Sequence, residues 1–188
     1  WPADAYKLSG GANAWAGVTV DAKNALVFAA TGSASFDFYG VNRHGDNLFA
    51  NTVLALDART GRRVWHFQGI RHDLWDWDFP AAPSLITVTR NGSRVDAVAQ
   101  ITKTGYVFVL DRRTGAPLFP VVEKPAPQRG AVEKLSPTQP WSTAFPSLMG
   151  PLLTEQRMWG LSALDQLWCR IKFKEARYEG SMTAPGTD

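Results

Sequence analysis

The sequence predicts an all-β chain assembled from repeated four-stranded antiparallel units. Three observations carry this expectation: an internal repeat 54 residues long (position 57 to position 111), β-rich runs divided by tight-turn signals, and a turn-rich composition. The 188 residues include 8 Trp, 16 Gly and 12 Pro, which suits short strands joined by many turns. With 45% hydrophobic and 20% charged residues the chain has ordinary globular usage, enough to bury one core and unlike a disordered tail.

The elements follow in order. Gly17 to Asp21 and Leu26 to Ala30 read as a first hairpin. Ala55-Leu56-Asp57-Ala58-Arg59-Thr60-Gly61-Arg62-Arg63-Val64-Trp65 then recurs as Val109-Leu110-Asp111-Arg112-Arg113-Thr114-Gly115-Ala116-Pro117-Leu118-Phe119. Each copy reads as strand, tight turn, strand: the Asp carboxylate accepts turn amides, and Gly supplies positive φ. The closing Trp65 or Phe119 offers a large apolar face to a neighbouring unit, so the two are expected at equivalent packing positions. Between the copies, Leu85 to Arg90, Arg94 to Ile101 and Tyr106 to Leu110 are β-rich, and Asn91-Gly92 is a strong hairpin signal. With Leu118 to Val122 they make four strands, the unit of a β-propeller blade at a propeller-like repeat length.

After residue 122 the character changes. Pro125, Pro127, Pro137, Pro140, Pro146 and Pro151 predict an extended, irregular path. Thr154 is expected to cap a short helix running towards Leu167 or Arg170. The whole reads as a long excursion between blades, so residues 1–188 form part of one propeller with no separate second domain. Two or three blades do not close a ring, and both ends lack start or stop character, which marks the chain as an internal piece of something longer.

The formal charge of +3 is small, and its basic residues cluster in turns such as Arg112-Arg113, so no nucleic-acid surface is expected. The single Cys169 allows no intrachain disulfide and is expected to be a small buried side chain. No apolar run reaches the length of a membrane span, and no signal peptide is evident at the first residues.

The densest chemistry lies in Arg71-His72-Asp73-Leu74-Trp75-Asp76-Trp77-Asp78-Phe79-Pro80, a loop with three acids and a histidine among large aromatics. On residue types alone two readings stand: acids capping turns beside packed tryptophans, or a polar catalytic group.

The run His72-Asp73-Leu74-Trp75-Asp76-Trp77-Asp78, followed by Thr102-Lys103-Thr104-Gly105, resembles the quinoprotein dehydrogenases, specifically the membrane-associated glucose and quinate branch. Gly10-Gly11-Ala12-Asn13-Ala14-Trp15-Ala16-Gly17, Met158-Trp159-Gly160-Leu161 and Leu167-Trp168-Cys169-Arg170-Ile171-Lys172-Phe173 resemble the same branch in the same order. The resemblance implies an eight-bladed propeller holding pyrroloquinoline quinone and Ca²⁺ or Mg²⁺ near its axis. It places Asp76 as the general base and a ligand of the cation, Lys103 on the quinone oxygens, and Trp15 against the cofactor ring. His72 becomes a candidate for substrate binding, while Asp73 and Asp78 rank as loop-organising groups. In Ala30-Thr31-Gly32-Ser33 the alcohol-oxidising members carry Asn at the last place as a metal ligand, so Ser33 departs from the pattern. The implied activity is oxidation of a sugar or polyol with a membrane quinone as electron acceptor, in the periplasm at the outer face of the bacterial inner membrane. The competing reading is a non-catalytic propeller scaffold of the outer-membrane assembly type, which shares the Asp-x-x-Thr-Gly turns and lacks the Trp15, Asp76, Lys103 set.

Overall fold

A computed structural model describes residues 1–186. Four strands, β1 (Val18–Asp21), β2 (Leu26–Ala30), β3 (Thr52–Asp57) and β4 (Arg63–Gln68), form one antiparallel sheet in sequence order. A second antiparallel sheet contains β5 (Ser84–Arg90), β6 (Ser93–Ile101) and β7 (Val107–Asp111). Asn91 and Gly92 both take positive φ, +50° and +77°, the two-residue hairpin geometry whose twist matches the flanking strands.

The two copies of the repeat match at the level of individual hydrogen bonds. Asp57 Oδ1 accepts from the Arg59 and Thr60 amides at 3.0 and 2.8 Å, and Asp111 Oδ1 accepts from the Arg113 and Thr114 amides at 2.9 Å each. The Gly61 and Gly115 amides close each turn on the Asp carbonyl at 2.8 Å. Trp65 joins the units: its ring covers Gly115, where an added Cβ would lie 2.6 Å from ring atoms, and its Nε1 donates to the Arg112 carbonyl at 3.1 Å.

One core lies between the sheets, built from Phe28, Val53 and Trp65 on one side, Val98, Phe108 and Leu110 on the other, and Phe79 from the connecting loop. Burying each such large side chain is worth about 1.5–3 kcal/mol. The buried Arg112 spans the same junction, pairing with Asp21 Oδ2 at 3.1 Å and donating to the Ile86 and Ala97 carbonyls.

Four expectations are corrected. The second unit has three strands: beyond β7 only a single bridge, Leu110 to Pro117, continues the ladder. Pro117 and Pro120 remove the amide hydrogens a fourth strand would need. The chain instead forms β8 (Val121–Pro125), paired with β9 (Thr138–Ser142) in a separate two-stranded ribbon. Consequently Phe119 is no counterpart of Trp65; it is half-buried against Phe145 with Arg90 over its ring. Thr154 precedes only a 3₁₀ turn, Glu155–Arg157, and makes no side-chain cap. The helix proper, α1 (Ala163–Glu175), starts at Ser162, whose hydroxyl accepts from the Asp165 amide. Cys169 on that helix is half-buried, not buried.

The ribbon and excursion are fastened to the loop that follows β4. Arg71 forms a fork on the Glu123 carboxylate at 2.7 and 2.8 Å, and Gln139 bonds both the amide and the carbonyl of Arg71. Leu74 packs with Leu135 and Ala184, and Trp75 Nε1 donates to the Thr183 carbonyl at 2.8 Å.

Candidate active site

Asp73 is the anchor of the acidic loop. It is fully buried, with Oδ1 accepting from the Trp75 amide and Oδ2 from the Trp77 amide and Asn51 Nδ2, all at 2.8 Å; Ser33 Oγ also donates to Oδ2. Burial pushes this carboxyl above the usual range despite those donors. The loop-organising role expected of it matches this geometry. Ser33, at the place of the family's Asn ligand, commits its hydroxyl to Asp73 and its amide to Asp78 Oδ1 at 2.6 Å.

With Asp73 holding the turn, Asp76 sits at φ +59°, a region Asp tolerates better than most residues, and meets Lys103 from the next sheet's turn. Lys103 Nζ lies 2.8 Å from Asp76 Oδ2 and 2.6 Å from Asp78 Oδ2. The Lys103 amide also donates to the Asp78 carbonyl at 3.1 Å, so backbone and side chain fix the loop on the turn together. Desolvation raises the Asp76 pKa, the Asp78 charge raises it further, and the Lys103 ammonium opposes both without prevailing. Burial also pushes Asp78 up, but hydrogen bonds from Lys103 and the Ser33 amide outweigh it and the net shift is downward. The two carboxyls are therefore shifted in opposite directions, Asp76 upward and Asp78 downward. The ammonium is held in its charged form: desolvation disfavours it, and two carboxylates more than compensate.

Trp15 reaches the same place from the segment before β1. Its Nε1 and the Asp78 Oδ1 lie 2.8 and 2.5 Å from where a Cβ on Gly32 would stand, so Gly32 lets indole, carboxylate and backbone converge. The Trp15 side remains 53% exposed, leaving ring surface free. His72 stands apart. Its side chain is buried, Nδ1 contacts the Gly45 carbonyl at 2.8 Å, and Nε2 contacts Glu133 Oε2 at 2.7 Å. The structure thus brings Asp76, Asp78 and Lys103 together, sets the Trp15 indole near Asp78 across Gly32, and turns His72 to Glu133 and the Gly45 carbonyl. Asp78, ranked from the sequence as a loop-organising group, ties the loop to Lys103 and to the Ser33 amide. Asn51 and Glu133 carried no local signal, since both act through chain-distant partners.

Consecutive antiparallel units carrying an ammonium shared by two acids are compatible with a propeller of the quinoprotein dehydrogenase class. The family model for the PQQ glucose/ethanol/alcohol dehydrogenase β-propeller domain matches residues 1–188, and the chain belongs to that family. It is 44% identical over 180 residues to a glycerol dehydrogenase large subunit of Gluconobacter oxydans (strain 621H), covering 94% of this chain and 24% of that protein. It is 43% identical over 190 residues to a quinate/shikimate dehydrogenase (quinone) of Acinetobacter baylyi, covering 100% of this chain and 23% of that protein. Among solved structures, quinohemoprotein alcohol dehydrogenase from Comamonas testosteroni superposes with a TM-score of 0.59 at 27% identity, over 75% of this chain and 21% of that one. The chain therefore spans about a quarter of the length of the curated relatives it matches.

The residues present fit the family's cofactor in part. An ammonium suits the oxygens of an ortho-quinone, and the free face of Trp15 suits a flat ring system. For a divalent cation the fit is incomplete: Asp76 and Asp78 supply carboxylate oxygens, but among the described residues no grouping of three or more His, Cys, Asp or Glu surrounds one point.

Proposed function

We propose that this propeller segment carries the proton-accepting half of a dehydrogenase active site that oxidises a hydroxyl of a sugar or cyclic polyol. The observation that supports it best is the Lys103 ammonium held between Asp76 and Asp78 beside the open face of Trp15. When bound, pyrroloquinoline quinone supplies the two-electron acceptor for hydride from the alcohol carbon, and Ca²⁺ or Mg²⁺ supplies Lewis acidity at its carbonyl. The chain's own groups do the rest. Asp76, its pKa raised by burial and by the Asp78 charge, takes the hydroxyl proton. Lys103 holds Asp76 in place and offers positive charge where negative charge develops on reduction. Trp15 supports the cofactor ring, and Asp76 would turn an oxygen to the cation. A substrate contact by His72 would require it to exchange the Glu133 carboxylate for a substrate hydroxyl.

Membership of a dehydrogenase family favours this reading over the non-catalytic scaffold. The name of the Acinetobacter baylyi relative, a quinate/shikimate dehydrogenase (quinone), points to a quinone as acceptor. Among the described residues no helix is long and apolar enough to cross a membrane; the reading implies a catalytic domain on the periplasmic side of the inner membrane. The test is dye-linked oxidation of a panel of aldoses and cyclic polyols by the full-length, cofactor-loaded protein and its Asp76→Asn variant. Turnover in the parent and its near loss in the variant are expected; equal turnover in both would end the assignment of the base.

A further inference from the structure

The loop that carries Asp76 has a second face. While Asp76 and Asp78 turn to Lys103, the alternating Trp75 and Trp77 line a cavity of about 920 Å³, which Tyr106, Trp141, Met149 and Leu152 help to enclose. Thr104, next to Lys103, lies in the same wall. The sole charged lining residue among the described residues, Arg177, donates to the carbonyls of Arg129 and Ala184. At one side Met149, Leu152 and Leu153 remain exposed.

This lining suits a polyol poorly: hydroxyls of Thr104, Ser147, Ser181 and Thr183 are present, but indole, thioether and aliphatic surface predominates. It is right for a planar ring with an apolar tail, because flat aromatics stack on indoles and the exposed Met149, Leu152 and Leu153 extend the apolar surface outward. We propose that this cavity binds the ring of a lipid-soluble quinone, the electron acceptor, on the opposite side of the Asp76 loop from the sugar. The inference rests on the dehydrogenase reading above and adds the acceptor's location. The acceptor gains two electrons and two protons, one on each carbonyl oxygen, and leaves as the quinol; the reduced cofactor, as donor, loses the same two electrons and two protons. A single layer of residues, 75 to 77 and 103 to 104, would separate donor from acceptor.

The experiment uses the full-length, cofactor-loaded protein and a benzoquinone with a decyl tail. Saturable quenching of tryptophan emission is expected, since Trp75, Trp77 and Trp141 line the cavity. The double variant Met149→Asp, Leu152→Asp should weaken binding by about tenfold or more, because it sets charges where an apolar tail lies. An azido derivative of the same quinone should label peptides within 147–153 or 176–186, which decides the matter should the double variant fail to fold. Saturating sugar should leave quinone binding unchanged. Labelling elsewhere, undiminished binding in a folded variant, or displacement by sugar would each overturn the proposal. Dye-linked sugar oxidation, run in parallel, reports separately on the dehydrogenase reading: its absence with intact quinone binding sinks that reading and not the cavity.

Discussion

At the scale of single residues, the proposed chemistry depends on how one ammonium is divided between two carboxylates. Asp76→Asn keeps the loop's shape and removes the proton acceptor, so kcat should fall by roughly 10²–10⁴ in the full-length enzyme. Lys103→Ala acts through the same carboxylate. Lys103 lowers the Asp76 pKa against burial and the Asp78 charge, so its loss raises that pKa further. With Asp76 as the proposed base its ionised form is the active one, so activity should rise as pH climbs through the Asp76 pKa, and the acidic limb of the kcat/KM profile should move to higher pH in the variant. A limb that stays in place would mean that Asp76 does not govern it. Asp73→Asn, chemically the same exchange three residues away, should act by another route. Its carboxylate accepts four hydrogen bonds on two oxygens, which an amide with one acceptor oxygen does not reproduce, so a lowered Tm is expected before any change specific to proton transfer.

At the scale of elements, the repeated turns show what local sequence makes legible. The hairpin over 17–30, the Asn91-Gly92 turn and both Asp-x-x-Thr-Gly turns were readable because each is closed by residues within a few positions of one another. The fourth strand of the second unit was misread because the partner of 121–125 is 138–142, a pairing hidden behind prolines that appeared to forbid strands. A two-stranded ribbon tolerates them, since each strand has an unpaired side. In the site, Trp15, Asp76 and Lys103 were singled out by the resemblance of their motifs to the family's. The Glu133 contact that occupies His72 spans 61 residues, and no periodicity reports it. The two turns also offer a controlled comparison. Gly61 and Gly115 take φ of +70° and +75°, so an alanine at either is strained by about 1–2 kcal/mol. Only at Gly115 does the new Cβ collide with the Trp65 ring, so Gly115→Ala should lower the thermal midpoint clearly more than Gly61→Ala. Equal losses would show that Trp65 docking adds nothing to the junction. Asp21→Asn tests the same junction electrically: it leaves Arg112 buried without its carboxylate, a loss of about 3–5 kcal/mol measurable by denaturant titration.

At the scale of the molecule, the difference between those two glycines becomes a statement about what these two sheets do by themselves. Gly115 is covered by the tryptophan of the preceding unit, whereas nothing stands within 4 Å of a Cβ on Gly61, and a shallow hollow there is lined by Phe49, Leu54 and Leu56. Val18 and Val20 on β1 and Val64 on β4 are exposed as well. Residues 1–186 thus hold one filled junction and one open junction, while propellers close with about four to eight blades. The site is divided in the same way: an ammonium, the two carboxylates that share it and an indole are here, while among the described residues no three His, Cys, Asp or Glu converge on one point. A polypeptide of residues 1–188 supplied with pyrroloquinoline quinone and Ca²⁺ should therefore show no dye-linked oxidation of sugars under conditions in which the full-length protein turns over. It should also bind a hydrophobic fluorescent reporter through its open faces. Robust turnover by the isolated polypeptide would mean that proton acceptor, cofactor and cation are all held by these two sheets, and that the open junction at Gly61 is of no consequence for catalysis.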